Sequence, residues 1–274
     1  MIILQDTFVN YIKTEQISFK YAKGSSVLTG REFHIYYEIV LFLGGECDFI
    51  SENLKCHLAP NTLVVIPKEK YHCFYFKGNS NNYYRCILNF YDVGNLKKLI
   101  NDTITEIRVI SDVHPQIISH FKRLIEKEKS NIPDYQKEII LTSVLSEIII
   151  DIHNNAAPAN ENSQLSLLTQ KVIEYINNNF ENTITVDSIA RQFNVSASSL
   201  SHIFKSDLHT SVYKYILNKR LITAQKLIVE GTPAIQAALQ CGFNDYSGFF
   251  KAYKKYFYSP PSMNKSKYKR ISNI

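Results

Sequence analysis

A chain of 274 residues has the length for about two domains, each able to bury its own core. The formal net charge is +6, yet residues 165–274 hold 14 Lys and Arg against 6 Asp and Glu, while residues 1–164 hold 17 against 19. The positive excess therefore sits in the C-terminal part and points to a polyanionic partner for it, and five scattered cysteines without CxxC spacing argue against a disulfide framework or structural zinc.

Met1 is followed by IILQDTFVNYIK, which lacks a basic leader and a long apolar stretch. A secretory signal is not expected there, and a reducing cytoplasm fits the free cysteines. Residues 15 to about 91 read as strands. QISFKYA, HIYYEIVLFL, ECDFI, LKCHL, TLVVIP, HCFYF and YYRCILNFY are short and rich in β-branched and aromatic residues. Turn clusters such as KGSS, GG, SEN, APN and GNSNN separate them. Short strands at this spacing predict an antiparallel barrel or sandwich. From about residue 115 to 153 the period changes. IISHFKRLIEKEKS and YQKEIILTSVLSEIIIDIHNN place apolar residues three and four apart, with a break at Asn131-Ile132-Pro133-Asp134. Two antiparallel helices are expected. Their apolar stripes are Ile117, Phe121, Leu124 and Ile125, then Ile139, Leu145, Ile148, Ile149 and Ile152. Part of these must cover the sheet, and the rest predicts a homodimer surface. The run IILTSVLSEIIIDI is too short and too polar to span a bilayer. Residues 154–164, NNAAPANENSQ, read as a flexible linker.

Residues 165–274 read as all-α. Ser166 can cap a helix carrying Leu168, Val172, Ile173 and Ile176. Then one local pattern occurs twice. Ala190 is followed four residues later by Asn194, then Val195, Leu200 and Phe204; Ala238 is followed four residues later by Gly242, then Phe243, Phe249 and Tyr253. A small alanine lets two helices cross closely, and Asn or Gly enters left-handed backbone cheaply at the turn. Each copy predicts a helix-turn-helix, whose second helix enters the DNA major groove. A long helix with Tyr215, Ile216, Leu221, Ala224, Leu227 and Ile228 joins them and ends at Gly231. Thr232-Pro233 opens the next, with a hydroxyl cap and a proline in the first turn.

This C-terminal segment resembles the AraC/XylS family of bacterial transcription regulators. The matching residues include Ile189-Ala190, Ser196, Leu200, Phe204-Lys205, Tyr215, Arg220-Leu221, Ala224, Leu227, Gly242-Phe243, Asp245, Ser247, Phe249, Tyr253-Lys254, Phe257 and Pro261. The N-terminal segment looks like the cupin-type sensing barrel of many members, through His34 and Glu38, Gly44-Gly45, Pro67 and His72. The resemblance implies an α+β protein. A cupin-like antiparallel β-barrel with a helical pair (1–153) precedes an all-α domain with two helix-turn-helix motifs. It implies a ligand-responsive activator, not an enzyme, with double-stranded DNA, a small-molecule effector and RNA polymerase as partners, and no membrane. The family pattern has glycine where Leu208 and Tyr258 stand, and a larger side chain where Gly248 stands. The resemblance also implies that Arg220 on the connecting helix braces the two halves.

On the first reading helix, Leu200 and Phe204 face inward, leaving Ser198, Ser201, His202 and Lys205 outward. On the second, Phe249 and Tyr253 face inward, leaving Tyr246, Ser247, Lys251 and Lys254. Serines pair with several bases, a lysine reaches guanine O6 and N7, and lysines at helix ends hold phosphates. In the N-terminal segment His34, Tyr36 and Glu38 alternate on one strand and share a face, and His72 follows the strand ending at Pro67. With Tyr36 in place of the second histidine of an HxH pair, no metal or other cofactor is expected. A polar effector pocket is, with Tyr36, Tyr37, Phe42, Phe74, Tyr83 and Tyr84 as aromatic neighbours and sugars among the candidate ligands. Two other readings stay open from sequence: a cupin-type metal-dependent enzyme with an accessory helical domain, and a regulator whose barrel binds a protein.

Overall fold

The computed structural model describes residues 7–24, 33–76, 83–111, 113–128, 132–155 and 165–262. Contacts divide it into two units, one holding the described residues up to 24 and from Tyr36 to 155, the other Phe33–Ile35 and the residues from Leu165 onward.

The first unit is built on two antiparallel sheets. Its strands are β1 (Thr7–Lys13), β2 (Ile17–Lys23), β3 (Tyr37–Gly44), β4 (Cys47–Ser51), β5 (Lys55–Leu58), β6 (Thr62–Ile66), β7 (His72–Phe76), β8 (Tyr84–Phe90) and β9 (Arg108–Ile110). The larger sheet runs β1-β2-β8-β3-β6-β9 and the smaller β5-β4-β7. Among the described residues the ladders form two separate sheets and no closed barrel, which corrects the barrel expectation. The physical cause lies in the corners. Gly45, at φ 102°, turns the chain from β3 into the other sheet, and Glu69, at φ 63°, stands between β6 and β7. All seven strands expected from the sequence are present. β1 and β9 are additional to them: TFVNYIK has the same β-branched and aromatic bias as the other strands, whereas the three residues RVI are too few to stand out from loop.

β3 is buried on both faces, which is why it reads as a near-continuous apolar run. Ile39 and Leu41 join Leu63, Val65, Leu88 and Phe90 in a core shared with two helices. Val40 and Phe42 point the other way, toward Phe49, Leu58, Val64 and Ile66 between the sheets. The helices are α2 (Pro115–Glu128) and α3 (Asp134–Asn154), preceded by a 3₁₀ turn (Gly94–Leu96) and the short α1 (Lys97–Thr103). The 3₁₀ turn and α1 are likewise additional to the expected elements. Ile117, Phe121, Leu124, Leu145, Ile148, Ile149 and Ile152 all enter the sheet-facing core, and Ile125 packs at its margin. The apolar surplus expected for a dimer surface is therefore mostly spent on this unit's own sheet. Ile139 stays 61% exposed, with Tyr135 and Ile150 also outward. His120 ties the pair together, lying 2.9 Å from Glu147 and 3.1 Å from Asp151. Pro133 is the N-cap of α3, as the predicted break requires, while Asn131 falls outside the described residues. α3 reaches Asn154, the first residue of the expected linker, and residues 156–164 lie outside the description.

The second unit contains α4 (Leu167–Asn179), α5 (Val186–Gln192), α6 (Ala197–Leu208), α7 (Val212–Val229), α8 (Ala234–Gln240) and α9 (Tyr246–Phe257). Side-chain caps start most of them. Ser166, Thr185, Ser196, Ser211 and Asp245 each accept an amide of the first turn, and Thr185 forms a reciprocal capping box with Ser188. Each such cap stabilises its helix by about 1 kcal/mol. α8 differs from expectation. Its N-cap is Pro233 itself, with no side-chain cap, so the Thr232 hydroxyl does not take that place. In α4, Thr169 is fully buried in the place expected for Leu168, because the apolar arc falls on Thr169, Val172, Ile173 and Ile176. Leu221, Ala224, Ile228, Ala237, Ala238, Cys241, Phe249 and Tyr253 form one continuous core. No described helix of the chain is long and apolar enough to cross a membrane.

Candidate nucleic-acid interface

The α5–α6 and α8–α9 junctions use the same backbone device. Asn194 and Gly242 are both left-handed, at φ 53° and 78°. The amide two residues after each first helix's C-cap closes back five residues: Val195 N donates to Ala190 O at 3.0 Å, and Phe243 N to Ala238 O at 3.1 Å. This Schellman-type closure stops each helix and turns the chain sharply. Ala190 and Ala238 are 2% exposed, so both small side chains are buried. The helix ends also resolve the glycine departures. α6 ends on His209, left-handed at φ 52°, while Leu208 is buried in the core. The special position is thus one residue later than the family pattern suggests. α9 ends on left-handed Tyr258.

Leu200, Phe204, Phe249 and Tyr253 are fully buried. On α6 that leaves Ser198, His202 and Lys205 exposed and Ser201 half-buried. On α9 Tyr246, Ser247, Lys251 and Lys254 are exposed. Three further exposed residues lie on these faces beyond those expected, the first being Ser199, whose amide and hydroxyl contact the Ser196 cap. Ser206 lies four residues after His202, and Lys255 four after Lys251, so a count of i, i+4 neighbours finds both. Gly248 follows from the cap before it. Asp245 Oδ1 accepts Gly248 N at 2.6 Å, and a Cβ on residue 248 would stand 2.9 Å from the other carboxylate oxygen. Tyr246 leans on Phe249, ring centroids 5.7 Å apart, which limits its freedom before any partner arrives.

Arg220 is not among the outward groups. Its Nε donates to Phe180 O and its Nη2 to Asn182 O, both at 2.8 Å. Burial pulls its pKa below the ordinary arginine value. Burial likewise pushes the nearby Cys241 thiol up to about 12, so it enters this junction as an uncharged group at neutral pH.

Within the first unit, two of the four effector candidates come into direct contact. Glu38 Oε2 and His72 Nε2 lie 3.0 Å apart, with side chains 7% and 1% exposed. His72 Nδ1 lies 3.2 Å from Lys70 O. A carbonyl only accepts, so in that contact Nδ1 is the donor. Phe49 stacks beside the His72 ring at 6.4 Å. Tyr36 packs edge-on against Tyr91 at 5.9 Å. His34 is buried, in the Phe33–Ile35 segment that clusters with the helical unit. Of the aromatic neighbours, Phe42, Phe74 and Tyr83 belong to the inter-sheet core. Tyr37 faces the opposite core, stacked on Phe90, and Tyr84 lies under Lys23.

Residues 189–265 match the protein family described as "Helix-turn-helix domain". The transcriptional activator RhaS of Mannheimia succiniciproducens is 24% identical over 250 residues, 90% of this chain and 84% of that protein. The transcriptional regulator GbdR of Pseudomonas aeruginosa is 36% identical over 93 residues, 34% of this chain and 25% of that protein. Among solved structures, ToxT from Vibrio cholerae is 11% identical, covering 92% of this chain and 98% of that chain, with a TM-score of 0.40.

Proposed function

We propose that this chain, whose residues 189–265 match a helix-turn-helix domain, is a DNA-binding transcription regulator that reads two neighbouring major-groove segments, one with α6 and one with α9. The observation that carries this is the repeated junction. The same closure at Val195 and Phe243 launches two helices whose inward residues are fully buried and whose opposite faces are polar and exposed. α7, with 18 residues, is a rod of about 27 Å between them. Two segments on one DNA face lie ~34 Å apart, so a bend in the DNA is expected where the helix spacing falls short of that.

Ser198, Ser201 and His202 take base edges in one segment, and Tyr246, Ser247 and Lys251 in the other. Lys205 and Lys254 hold phosphates, which position without selecting sequence. His202→Ala is then expected to relax preference at one end of the site and Lys251→Ala at the other, each costing about 1–3 kcal/mol at the matching base pair. Lys254→Ala is expected to weaken all sequences alike. Binding of the full chain to a library of single-base variants of its site measures this. A uniform loss from His202→Ala or Lys251→Ala would move those residues to the phosphate class.

The reading extends to activation, the activity in the name of the RhaS-type relative, and to the cytoplasm as the place of action. The N-terminal unit is the sensing part in this proposal. The buried Glu38–His72 pair supports that, as an ionisable pair set beside Phe49 of the inter-sheet core.

A further inference from the structure

The helix pairs α5–α6 and α8–α9 are joined along the chain by α7, but they are also joined through α4. That helix precedes both pairs and lies before the stretch that matches the helix-turn-helix family. Its two ends are held by residues from different halves of the unit.

At the first end, Asp207 of α6 accepts from Ser166 twice, from the backbone N at 3.1 Å and from Oγ at 2.7 Å, both on Oδ2. Ser166 is the N-cap of α4. A carboxylate in the last turn of α6 opposes that helix's own dipole, whereas at the N-terminus of α4 it is favourable. Its placement is therefore explained by α4 and not by α6. At the other end, Arg220 of α7 donates to the carbonyls of Phe180 and Asn182, where Phe180 is the C-cap of α4. A guanidinium on two carbonyls at a helix C-terminus gives charge-assisted bonds and matches the dipole. The turn that launches α9 closes on the same spot. A Cβ on Gly242 would stand 2.6 Å from Glu181 O and 3.0 Å from Phe180 O, so the two backbones approach as closely as glycine allows. One end of α4 thus grips the first reading helix and the other grips the turn before the second.

We propose that α4 is a second strut beside α7, which fixes the separation and rotational phase of the two reading helices, with Asp207, Arg220 and Gly242 as its positioning residues. This rests on the two-segment reading above. With 13 residues α4 spans about 20 Å, and with both ends pinned it removes the bending and twisting that a single connecting rod would allow.

The test uses the full chain and a DNA site enriched from random-sequence duplexes. Versions of that site carry one base pair added or removed between the two bound segments, which changes their separation by ~3.4 Å and their phase by about 34°. The parent is expected to lose at least about tenfold in affinity on either change, whereas Arg220→Met and Asp207→Asn bind the original site more weakly but lose only about threefold or less on the change. The ratio of the two affinities is independent of how much variant is folded, so a destabilised variant still reports. Gly242→Ala gives a third reading from the other side of the junction. A role in stability alone lowers both affinities and leaves the ratio at the parent's value, and that result in Arg220→Met and Asp207→Asn would overturn the strut. A one-segment enriched site would instead remove the reading on which the strut rests.

Discussion

DNA binding by the full chain is expected to fall about 40-fold between 50 and 200 mM salt. Beside Lys251, which takes a base edge, the reading helices present Lys205, Lys254 and Lys255 to solvent, placed to meet phosphates. Each lysine that neutralises a phosphate releases condensed counterion, and three such contacts give a slope of about −2.7 in log affinity against log salt. The sequence carries the same asymmetry, since residues 165–274 hold 14 basic against 6 acidic side chains while the remainder is net acidic. Base-edge contacts add little to this slope, so His202→Ala is expected to leave it unchanged and Lys254→Ala to reduce it by about one. Fluorescence anisotropy on a labelled duplex across that salt range measures both. A parent slope shallower than about −1 contradicts the assignment of these lysines to phosphates.

Glu38→Gln is expected to abolish the response to whichever small molecule changes the DNA affinity of the parent chain, while leaving basal DNA binding near the parent's. A tenfold effector response requires only ~1.4 kcal/mol of coupling, so losing one well-placed carboxylate is enough to remove it. Glu38 lies in the first unit and His72 is its direct partner at 3.0 Å. Glutamine keeps an acceptor for the ring, so the fold should hold. His72→Ala is the harsher change, because it leaves a buried carboxyl without that partner, at a cost of about 3–5 kcal/mol if the carboxyl is ionised. The measurement is DNA affinity with and without a panel of metabolites, sugars included, alongside thermal unfolding of each variant. A Glu38→Gln protein that responds as the parent does places the pocket elsewhere. A variant that loses DNA binding and unfolds together shows the pair to be structural.

What is legible in the sequence is local. Asn194 and Gly242 as left-handed turn residues, the inward pairs Leu200/Phe204 and Phe249/Tyr253, and the seven strands from QISFKYA to YYRCILNFY all follow from residue type and period. What is not legible depends on partners far along the chain. The split into two sheets turns on corners at Gly45 and Glu69, and the second of these is a non-glycine at positive φ that no propensity announces. The left-handed end of α6 falls on His209, because Leu208 is needed in the core. Arg220 and Phe180 are 40 residues apart, as Ser166 and Asp207 are 41, and neither pairing has a sequence signal. The helical stripes of α2 and α3 read as apolar from period alone, yet their destination, mostly the sheet rather than a second copy, requires the packed core.

Enrichment of bound DNA from a random-sequence pool by the full chain tests the central claim most directly. Two enriched segments centred about one helical turn, ~34 Å, apart are expected, with His202→Ala degrading the information in one segment and Lys251→Ala in the other. A pool that stays random after repeated rounds, or a single enriched segment degraded by both variants, would contradict a regulator that reads DNA with α6 and α9.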